Sequence, residues 1–289
     1  MTRIIENLEE VTDHYRALLV DLWGCVHDGV RALPPAVAAL RRFREAGGHV
    51  VLLTNAPRSR ADVALQIAAL GVPEDAWDVI VTSGDAARVA LFAGAVGTRV
   101  WHIGEARDDS FFDPPAIVPD PAAVARVPLD EADGIVCTGP FDRAAPPEAL
   151  RGELLRAKTR GLTMLCANPD LVVDRGAARE YCAGSLAALY EEMGGRALYF
   201  GKPHPPVYDL ARTRLADIVA VPDEAILAIG DGLHTDVAGA IGEALDNIFV
   251  TGGLSREETG TTHHPDMAML STILDEARLS PTYAIGALR

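Results

Sequence analysis

Short apolar runs alternate with amphipathic segments in the first third of the chain. The runs are continuous, which is typical of strands buried on both faces, and they lie at 17–20, 49–53 and 77–81. Between them, apolar residues at helical spacing predict a helix that Pro34 opens and Gly47 ends, and another over 59–70. This strand–helix–strand order predicts a parallel sheet with right-handed crossovers.

The same pattern returns near the C-terminus. Apolar runs predict strands at 225–229 and 247–250, separated by a helix that reaches about residue 244. A final helix is predicted over 266–278. At the other end of the chain, residues 4–15 carry apolar side chains at helical spacing and predict a short amphipathic helix.

The middle of the chain carries a second set of alternating elements. Strands are predicted at 99–103, 134–138 and 162–166, and helices at 147–160 and 177–193. This is enough material for a further α/β unit of roughly one hundred residues. We therefore predict an α/β protein: a Rossmann-like, doubly wound parallel-sheet core formed by 1–88 and 196–289, with a smaller α/β cap inserted at 89–195.

Composition narrows the classes of function. The 289 residues are 49% hydrophobic and 23% charged, which excludes intrinsic disorder as the main state. No apolar run reaches the length of about 18 residues that a membrane span needs, and no apolar signal core follows Met1. The net charge of −15 opposes binding to nucleic acid or to an anionic membrane. With cysteines in no C-x-x-C pair, we expect a cytoplasmic protein with reduced thiols.

Polar residues follow several of the predicted strands. Asp21 ends the first strand, Thr54-Asn55 ends the second, and Asp231 ends the strand at 225–229, with Asp236 five residues further on. Because the carboxyl ends of parallel strands share one edge of a sheet, these side chains are expected to converge there. Lys202 follows another apolar run, and only one other lysine, Lys158, occurs in the chain.

This set of side chains suits phosphoryl transfer. Clustered carboxylates repel one another unless a cation joins them, and hard oxygen ligands suit Mg²⁺. A phosphate dianion approaches a carboxylate nucleophile only with such a metal and a nearby ammonium group. Thr54 and Asn55 offer hydrogen bonds to phosphate oxygens.

Four motifs occur in a characteristic order: Asp21 in D-L-W-G, Thr54-Asn55 in L-L-T-N, Lys202 in G-K-P, and Gly230-Asp231 followed by Thr235-Asp236. In this order the chain resembles the haloacid dehalogenase superfamily, and within it the class IIA phosphatases with an inserted α/β cap. The segment Cys166-Ala167-Asn168-Pro169-Asp170 is similar to the N-x-D element of class IIA caps. The resemblance spans about residues 17 to 250.

The resemblance implies a role for each matching residue. Asp21 would be the nucleophile that forms an aspartyl-phosphate. Mg²⁺ would bind Asp21, Asp231 and the backbone carbonyl of Trp23. Asp236 would be either a direct ligand or a residue of the second coordination shell. The phosphoryl group would be bound by Thr54, Asn55 and Lys202, and the substrate would be faced from the cap by Asn168 and Asp170.

One position departs from the family pattern. Phosphatases of this superfamily carry an aspartate two residues after the nucleophile as general acid, and here that position is Trp23. An indole has no group that titrates near neutral pH. Three explanations are open: a leaving group that needs no acid, a replacement acid among His27, Asp28 and His234, or a site that binds phosphate with little turnover.

Two classes of function follow. The first is a Mg²⁺-dependent phosphohydrolase for a small phosphorylated metabolite, acting through an aspartyl-phosphate. The second is a catalytically weak, phosphatase-like protein that binds a phosphorylated ligand or partner. A minor third hypothesis, carbon–halogen cleavage, is suggested by the aromatic residue at position 23 but disfavoured by Asp231, since the dehalogenases work without Mg²⁺. The expected partner is a small phosphorylated metabolite, and both a monomer and a homodimer are compatible with the sequence.

Overall fold

The computed structural model describes residues 2–175 and 178–289. The strands, in chain order, are β1 (Arg3–Ile4), β2 (Ala17–Val20), β3 (His49–Thr54), β4 (Val79–Thr82), β5 (Arg99–Ile103), β6 (Ala125–Arg126), β7 (Gly134–Cys137), β8 (Thr163–Cys166), β9 (Val172–Arg175), β10 (Ala178–Tyr181), β11 (Arg196–Tyr199), β12 (Ile226–Gly230), β13 (Asp246–Val250) and β14 (Tyr283–Ile285). The α-helices are α1 (Pro34–Glu45), α2 (Arg60–Ala69), α3 (Ser83–Phe92), α4 (Arg151–Thr159), α5 (Ala183–Glu192), α6 (Pro205–Ala216), α7 (Ala238–Gly242) and α8 (Met267–Ala277).

The chain divides into two compact units. The first comprises residues 1–54, 64–81 and 208–289, and the second comprises 55–63 and 82–207. The predicted limits of the cap, 89–195, differ from those of the second unit and stay a prediction. Across the described residues, no helix is both long enough and apolar enough to cross a membrane.

The first unit contains a seven-stranded sheet in the order β1-β14-β13-β12-β2-β3-β4. The strands β2, β12 and β13 lie side by side and are parallel, as the apolar runs predict. All four residues of β2 and all five of β12 are buried, because helices cover such a sheet on both faces. This arrangement confirms the predicted Rossmann-like α/β fold class.

The second unit contains a five-stranded sheet in the order β11-β8-β7-β5-β6. Its paired strands are parallel. Cys137, Cys166 and Tyr199, the last residues of β7, β8 and β11, are aligned by the strand register at the carboxyl end of the sheet. The hydrophobic core of this unit packs Tyr190 and other side chains of α5 against the sheet residues Ile135 and Met164.

Two predicted helices differ from the structure. Residues 4–15 do not form one amphipathic helix: Leu8–Glu10 and Thr12–His14 are single 3-10 turns, and Arg3–Ile4 pairs with β14 from the far end of the chain. The helix predicted over 177–193 begins only at Ala183, because 178–181 pair antiparallel with β9; residue 177 lies outside the described residues. The second error arises from strand pairing, which local periodicity does not reveal.

Candidate active site

Asp21 and Asp231 follow two strands that lie side by side. The register pairs Val20 of β2 with Ile229 of β12, so both strands end at the same edge of the sheet. The backbone N–H of Asp21 donates a hydrogen bond of 2.8 Å to the carbonyl oxygen of Ile229, which continues the pairing by one residue. The convergence of these two carboxylates at the carboxyl edge of the sheet agrees with the sequence-based expectation.

The two carboxylates are buried close together. Asp21 is 7% exposed and Asp231 is 3% exposed. One oxygen of each, together with the Sγ atom of Cys25, all lie within 4.8 Å of one another. Two buried carboxylates at this separation repel each other, and a divalent cation with oxygen preference relieves that repulsion. The two carboxylates therefore fit the Mg²⁺ that the resemblance implies.

Asp231 is held between two glycines. Its Oδ2 atom accepts a 2.9 Å hydrogen bond from the backbone N–H of Leu254. A Cβ atom on Gly24 would lie 2.7 Å from the Cγ of Asp231, and a Cβ on Gly253 would lie 2.5 Å from its Cβ. Residues 253 and 254 were not predicted from the sequence, although the pair Gly252-Gly253, which follows β13 after Thr251, is a signal of close backbone approach.

The loop after β2 is a tight turn that surrounds Trp23. Gly24 has φ +75, and its N–H donates to the carbonyl of His27 at 2.9 Å. The indole of Trp23 meets the His27 ring edge to face at 5.2 Å between centroids. A Cβ on Gly29 would lie 2.7 Å from the indole Cη2, so Trp23 packs directly over this glycine. The Trp23 side chain is thus packed against its own loop.

The three candidate replacement acids differ in environment. His27 is 2% exposed, and burial lowers its pKa to about 4, so that its imidazole is neutral near pH 7. Its Nδ1 accepts a 3.1 Å hydrogen bond from the N–H of Gly29. Asp28 is exposed and accepts from the N–H groups of Arg31 and Val30, which hold its pKa below the usual value. His234 is exposed in a single π-helical turn, Leu233–Val237.

Asp236 stabilises the turn that follows β12. Its Oδ2 accepts from the N–H of Gly232 at 3.1 Å and from the hydroxyl of Thr235 at 3.3 Å. A Cβ on Gly230 would overlap the Asp236 side chain. These contacts point to Asp236 as a residue that positions the Asp231 turn.

Thr54 is the last residue of β3, next to β2 in the sheet, and it is buried. Its register places it at the same edge as Asp21, because Val20 pairs with Leu52. The next residue, Asn55, begins the segment of chain that belongs to the second unit.

In the second unit, the Asn55 carboxamide joins Lys202 and Asp170. Its Nδ2 donates to Asp170 Oδ1 at 2.8 Å and to the Lys202 carbonyl at 3.0 Å, and its Oδ1 accepts from the Lys202 N–H at 2.7 Å. Lys202 is 2% exposed. The Asn55 side chain therefore fixes the position of the segment that carries the lysine.

Asn168 shapes the turn that leads to Asp170. Its Oδ1 accepts from the N–H of Asp170 at 2.9 Å, and its side chain is buried. A Cβ on Gly201 would lie 2.6 Å from the Cδ of Pro169, so the glycine of the G-K-P motif allows this turn to approach the lysine segment closely. Within the second unit, the structure thus brings together the predicted residues Asn55, Asn168, Asp170 and Lys202.

Comparison with known proteins gives the family. Residues 18–113 match the family described as haloacid dehalogenase-like hydrolase, and residues 199–276 match a second hydrolase model of the same superfamily. A solved hydrolase of the haloacid dehalogenase-like family from Brucella suis 1330 is 38% identical, with a TM-score of 0.86, over 99% of this chain and 100% of that one.

Two further relatives are named as phosphatases. The D-glycerol 3-phosphate phosphatase of Mycobacterium tuberculosis is 28% identical over 260 residues, which are 86% of this chain and 66% of that protein, so the match spans slightly less than two thirds of its length. A solved glycerol phosphate phosphatase from the same organism, in complex with magnesium, is 25% identical with a TM-score of 0.67, over 94% of this chain and 75% of that one. These relatives confirm the resemblance to the phosphatases of the superfamily. The chain therefore belongs to the haloacid dehalogenase-like family of hydrolases.

Proposed function

We propose that the protein is a Mg²⁺-dependent phosphohydrolase that acts on a small phosphorylated metabolite through an aspartyl-phosphate intermediate. One observation carries this proposal: the buried carboxylates of Asp21 and Asp231 meet at the edge of two adjacent parallel strands. Buried like charges are costly unless a cation compensates them. The magnesium complex of the mycobacterial phosphatase supports the choice of cation.

Asp21 and Asp231, with the backbone carbonyl of Trp23, would hold the cation. When bound, Mg²⁺ would neutralise the carboxylates and polarise the phosphoryl oxygens. The hydrogen bonds of Asp236 to its own turn favour a positioning role over direct ligation. Thr54, Asn55 and Lys202 would bind the phosphoryl group, the lysine by charge and the other two by their polar groups.

The reaction would proceed in two displacements. A carboxylate oxygen of Asp21 attacks phosphorus, the bond from phosphorus to the leaving-group oxygen breaks, and that oxygen keeps the electron pair and departs as an anion. Water then attacks the phosphorus of the aspartyl-phosphate, which releases inorganic phosphate and restores the Asp21 carboxylate.

The surroundings of Trp23 favour substrates with a good leaving group. Neutral, buried His27 and ionised Asp28 are both poor proton donors near pH 7. A leaving group of low pKa, such as an acyl phosphate or an aryl phosphate, departs without a proton. We therefore expect hydrolysis rates to fall steeply as the pKa of the leaving group rises.

A series of aryl phosphates of graded leaving-group pKa tests this directly. Trp23→Asp would restore the family's general acid, so the hydrolysis rate would depend less steeply on the pKa of the leaving group. Substrates with poor leaving groups would be hydrolysed up to about 10²–10⁴-fold faster. Trp23→Phe is the matched control, because it changes the aromatic side chain without adding a carboxyl group. Equal slopes for the wild type and Trp23→Asp would contradict the role assigned to this position.

The proposal as a whole is tested by phosphate release. Wild-type protein is expected to release phosphate from small phosphomonoesters or acyl phosphates with Mg²⁺, to stop when Mg²⁺ is chelated, and to recover when it is restored. Asp21→Asn keeps the size of the side chain but removes the nucleophile. A broad substrate panel with no release above the Asp21→Asn background would refute the proposal.

Trp23 also motivates a second candidate function: a phosphatase-like protein that binds a phosphorylated ligand without turnover. The two functions separate in one experiment. If Trp23→Asp creates hydrolysis that the wild type lacks, while both bind the same phosphorylated compound in calorimetry, binding is the native function.

A further inference from the structure

We infer that Cys25 completes a three-residue site for thiophilic divalent cations, such as Zn²⁺ and Cd²⁺, on the Asp21–Asp231 pair. Such a cation would displace Mg²⁺ and stop turnover. This inference deepens the proposed function and rests on it for the effect on turnover.

The geometry brings one donor atom from each residue to the same place. The Sγ of Cys25 and one carboxylate oxygen each of Asp21 and Asp231 lie within 4.8 Å of one another. Bonds of about 2.0–2.3 Å in tetrahedral geometry place two ligands of one zinc ion roughly 3.3–3.8 Å apart, so the three atoms would have to approach one another by at most about 1.5 Å. All three side chains are buried, with Cys25 1% exposed.

The backbone fixes the thiol in this position. Gly24, in the left-handed region, turns the chain directly before Cys25. On the other side, the N–H groups of Val26 and His27 both donate to the carbonyl of Leu22, at 2.9 and 3.1 Å. Cys25 therefore sits within a closed turn whose first residue follows Asp21, and the nucleophile and the thiol are held by the same loop.

The chemistry of sulfur sets the selectivity. Mg²⁺ is a hard cation that takes oxygen ligands, so the thiol contributes nothing to its binding. Soft thiolate ligands select zinc and similar metals. On binding, the thiol proton would pass to the buffer, the sulfur and both carboxylates would hold the ion, and Mg²⁺, which the proposed reaction needs, could not occupy the same place.

A titration with Cd²⁺, monitored by ultraviolet absorbance, tests whether Cys25 binds the cation. A cadmium–thiolate bond produces a charge-transfer band, whereas a cadmium–carboxylate bond does not. The wild type is expected to gain this band with one equivalent of Cd²⁺, and Cys25→Ser to lack it. Cys182→Ser is the matched control, since it removes a different buried thiol and is expected to keep the band. A band that persists in Cys25→Ser, or is absent from the wild type, overturns the inference.

If Cys25→Ser failed to fold, its missing absorbance band would not report on the thiol, so a second measurement uses the wild type alone. X-ray absorption at the cadmium edge, with one equivalent of Cd²⁺ bound to the full chain, is expected to show one sulfur among oxygen ligands. A shell with no sulfur overturns the inference without any substitution.

Inhibition links the site to turnover. In the presence of Mg²⁺, Cys25→Ser is expected to need more than about tenfold more Zn²⁺ than the wild type for half-inhibition, because a direct ligand is lost. Equal sensitivity overturns the inference. If Mg²⁺ supports no hydrolysis but the cadmium band depends on Cys25, the thiophilic site stands and the proposed phosphatase activity fails. If hydrolysis occurs and the band is absent, the inference alone fails.

Discussion

Substituting Gly24 by alanine tests how closely the loop after β2 packs against the Asp231 carboxylate. Gly24 has φ +75, a conformation that costs a residue with a Cβ about 1–2 kcal/mol. The added Cβ would also lie 2.7 Å from the Cγ of Asp231. Overpacking of this kind costs about 1–3 kcal/mol. We therefore expect Gly24→Ala to lower the free energy of unfolding by about 2–5 kcal/mol.

Two control variants separate these contributions. Gly47 has φ +93, and a Cβ added there would meet nothing within 4 Å, so Gly47→Ala carries the backbone cost alone, about 1–2 kcal/mol. Gly253 is not in the left-handed region, and its Cβ would lie 2.5 Å from that of Asp231, so Gly253→Ala carries mainly the overpacking cost, about 1–3 kcal/mol.

Urea-induced unfolding gives the free energies, and calorimetry gives the Mg²⁺ affinity of each variant. Gly24→Ala and Gly253→Ala are both expected to weaken Mg²⁺ binding, because the Asp231 carboxylate must move away from the new Cβ. Gly47→Ala is expected to leave the affinity unchanged. If Gly24→Ala and Gly47→Ala destabilise equally and both retain wild-type affinity, Asp231 does not occupy the space over Gly24 and this geometry of the site is wrong.

Three further predictions concern other parts of the molecule. Because burial lowers the pKa of His27 to about 4, the imidazole takes up a proton more readily in the unfolded chain than in the folded one. The free energy of unfolding is therefore at its full value above about pH 6.5 and falls by up to about 3 kcal/mol as the pH drops towards 4. His27→Asn, which cannot titrate, is expected to lose less stability over that range in urea unfolding, and an unchanged pH dependence would contradict this. Asn55→Ala removes the hydrogen bonds to Asp170 and Lys202, and is expected to raise KM for the phosphorylated substrate and to cost about 1–3 kcal/mol of stability; wild-type KM would exclude the positioning role. Asp266→Ala removes the N-cap of α8, whose side chain accepts from the N–H groups of Ala268 and Met269, and is expected to cost about 1 kcal/mol without changing kcat; a loss of kcat would show that this helix contributes to catalysis.

The sequence alone determined the elements whose signal is local. Continuous apolar runs marked β2, β3 and β12 because strands covered on both faces have no polar side to alternate with. The apolar run at 247–250 likewise matched β13. The apolar spacing over residues 266–278 marked α8. Since the carboxyl ends of parallel strands share an edge, the meeting of Asp21 and Asp231 also followed from the order of elements.

The tertiary structure decided what depends on residues far apart in the chain. The pairing of β1 with β14 joins the two ends of the sequence, and the β9–β10 hairpin replaced the start of a predicted helix; no local pattern records such pairings. The closeness of Cys25 to the carboxylates, the burial that keeps His27 neutral, and the use of the Asn55 carboxamide to hold Lys202 are likewise set by packing. A sequence specifies which groups are present, whereas their protonation and partners depend on the dielectric surroundings and on neighbours that only the folded chain supplies.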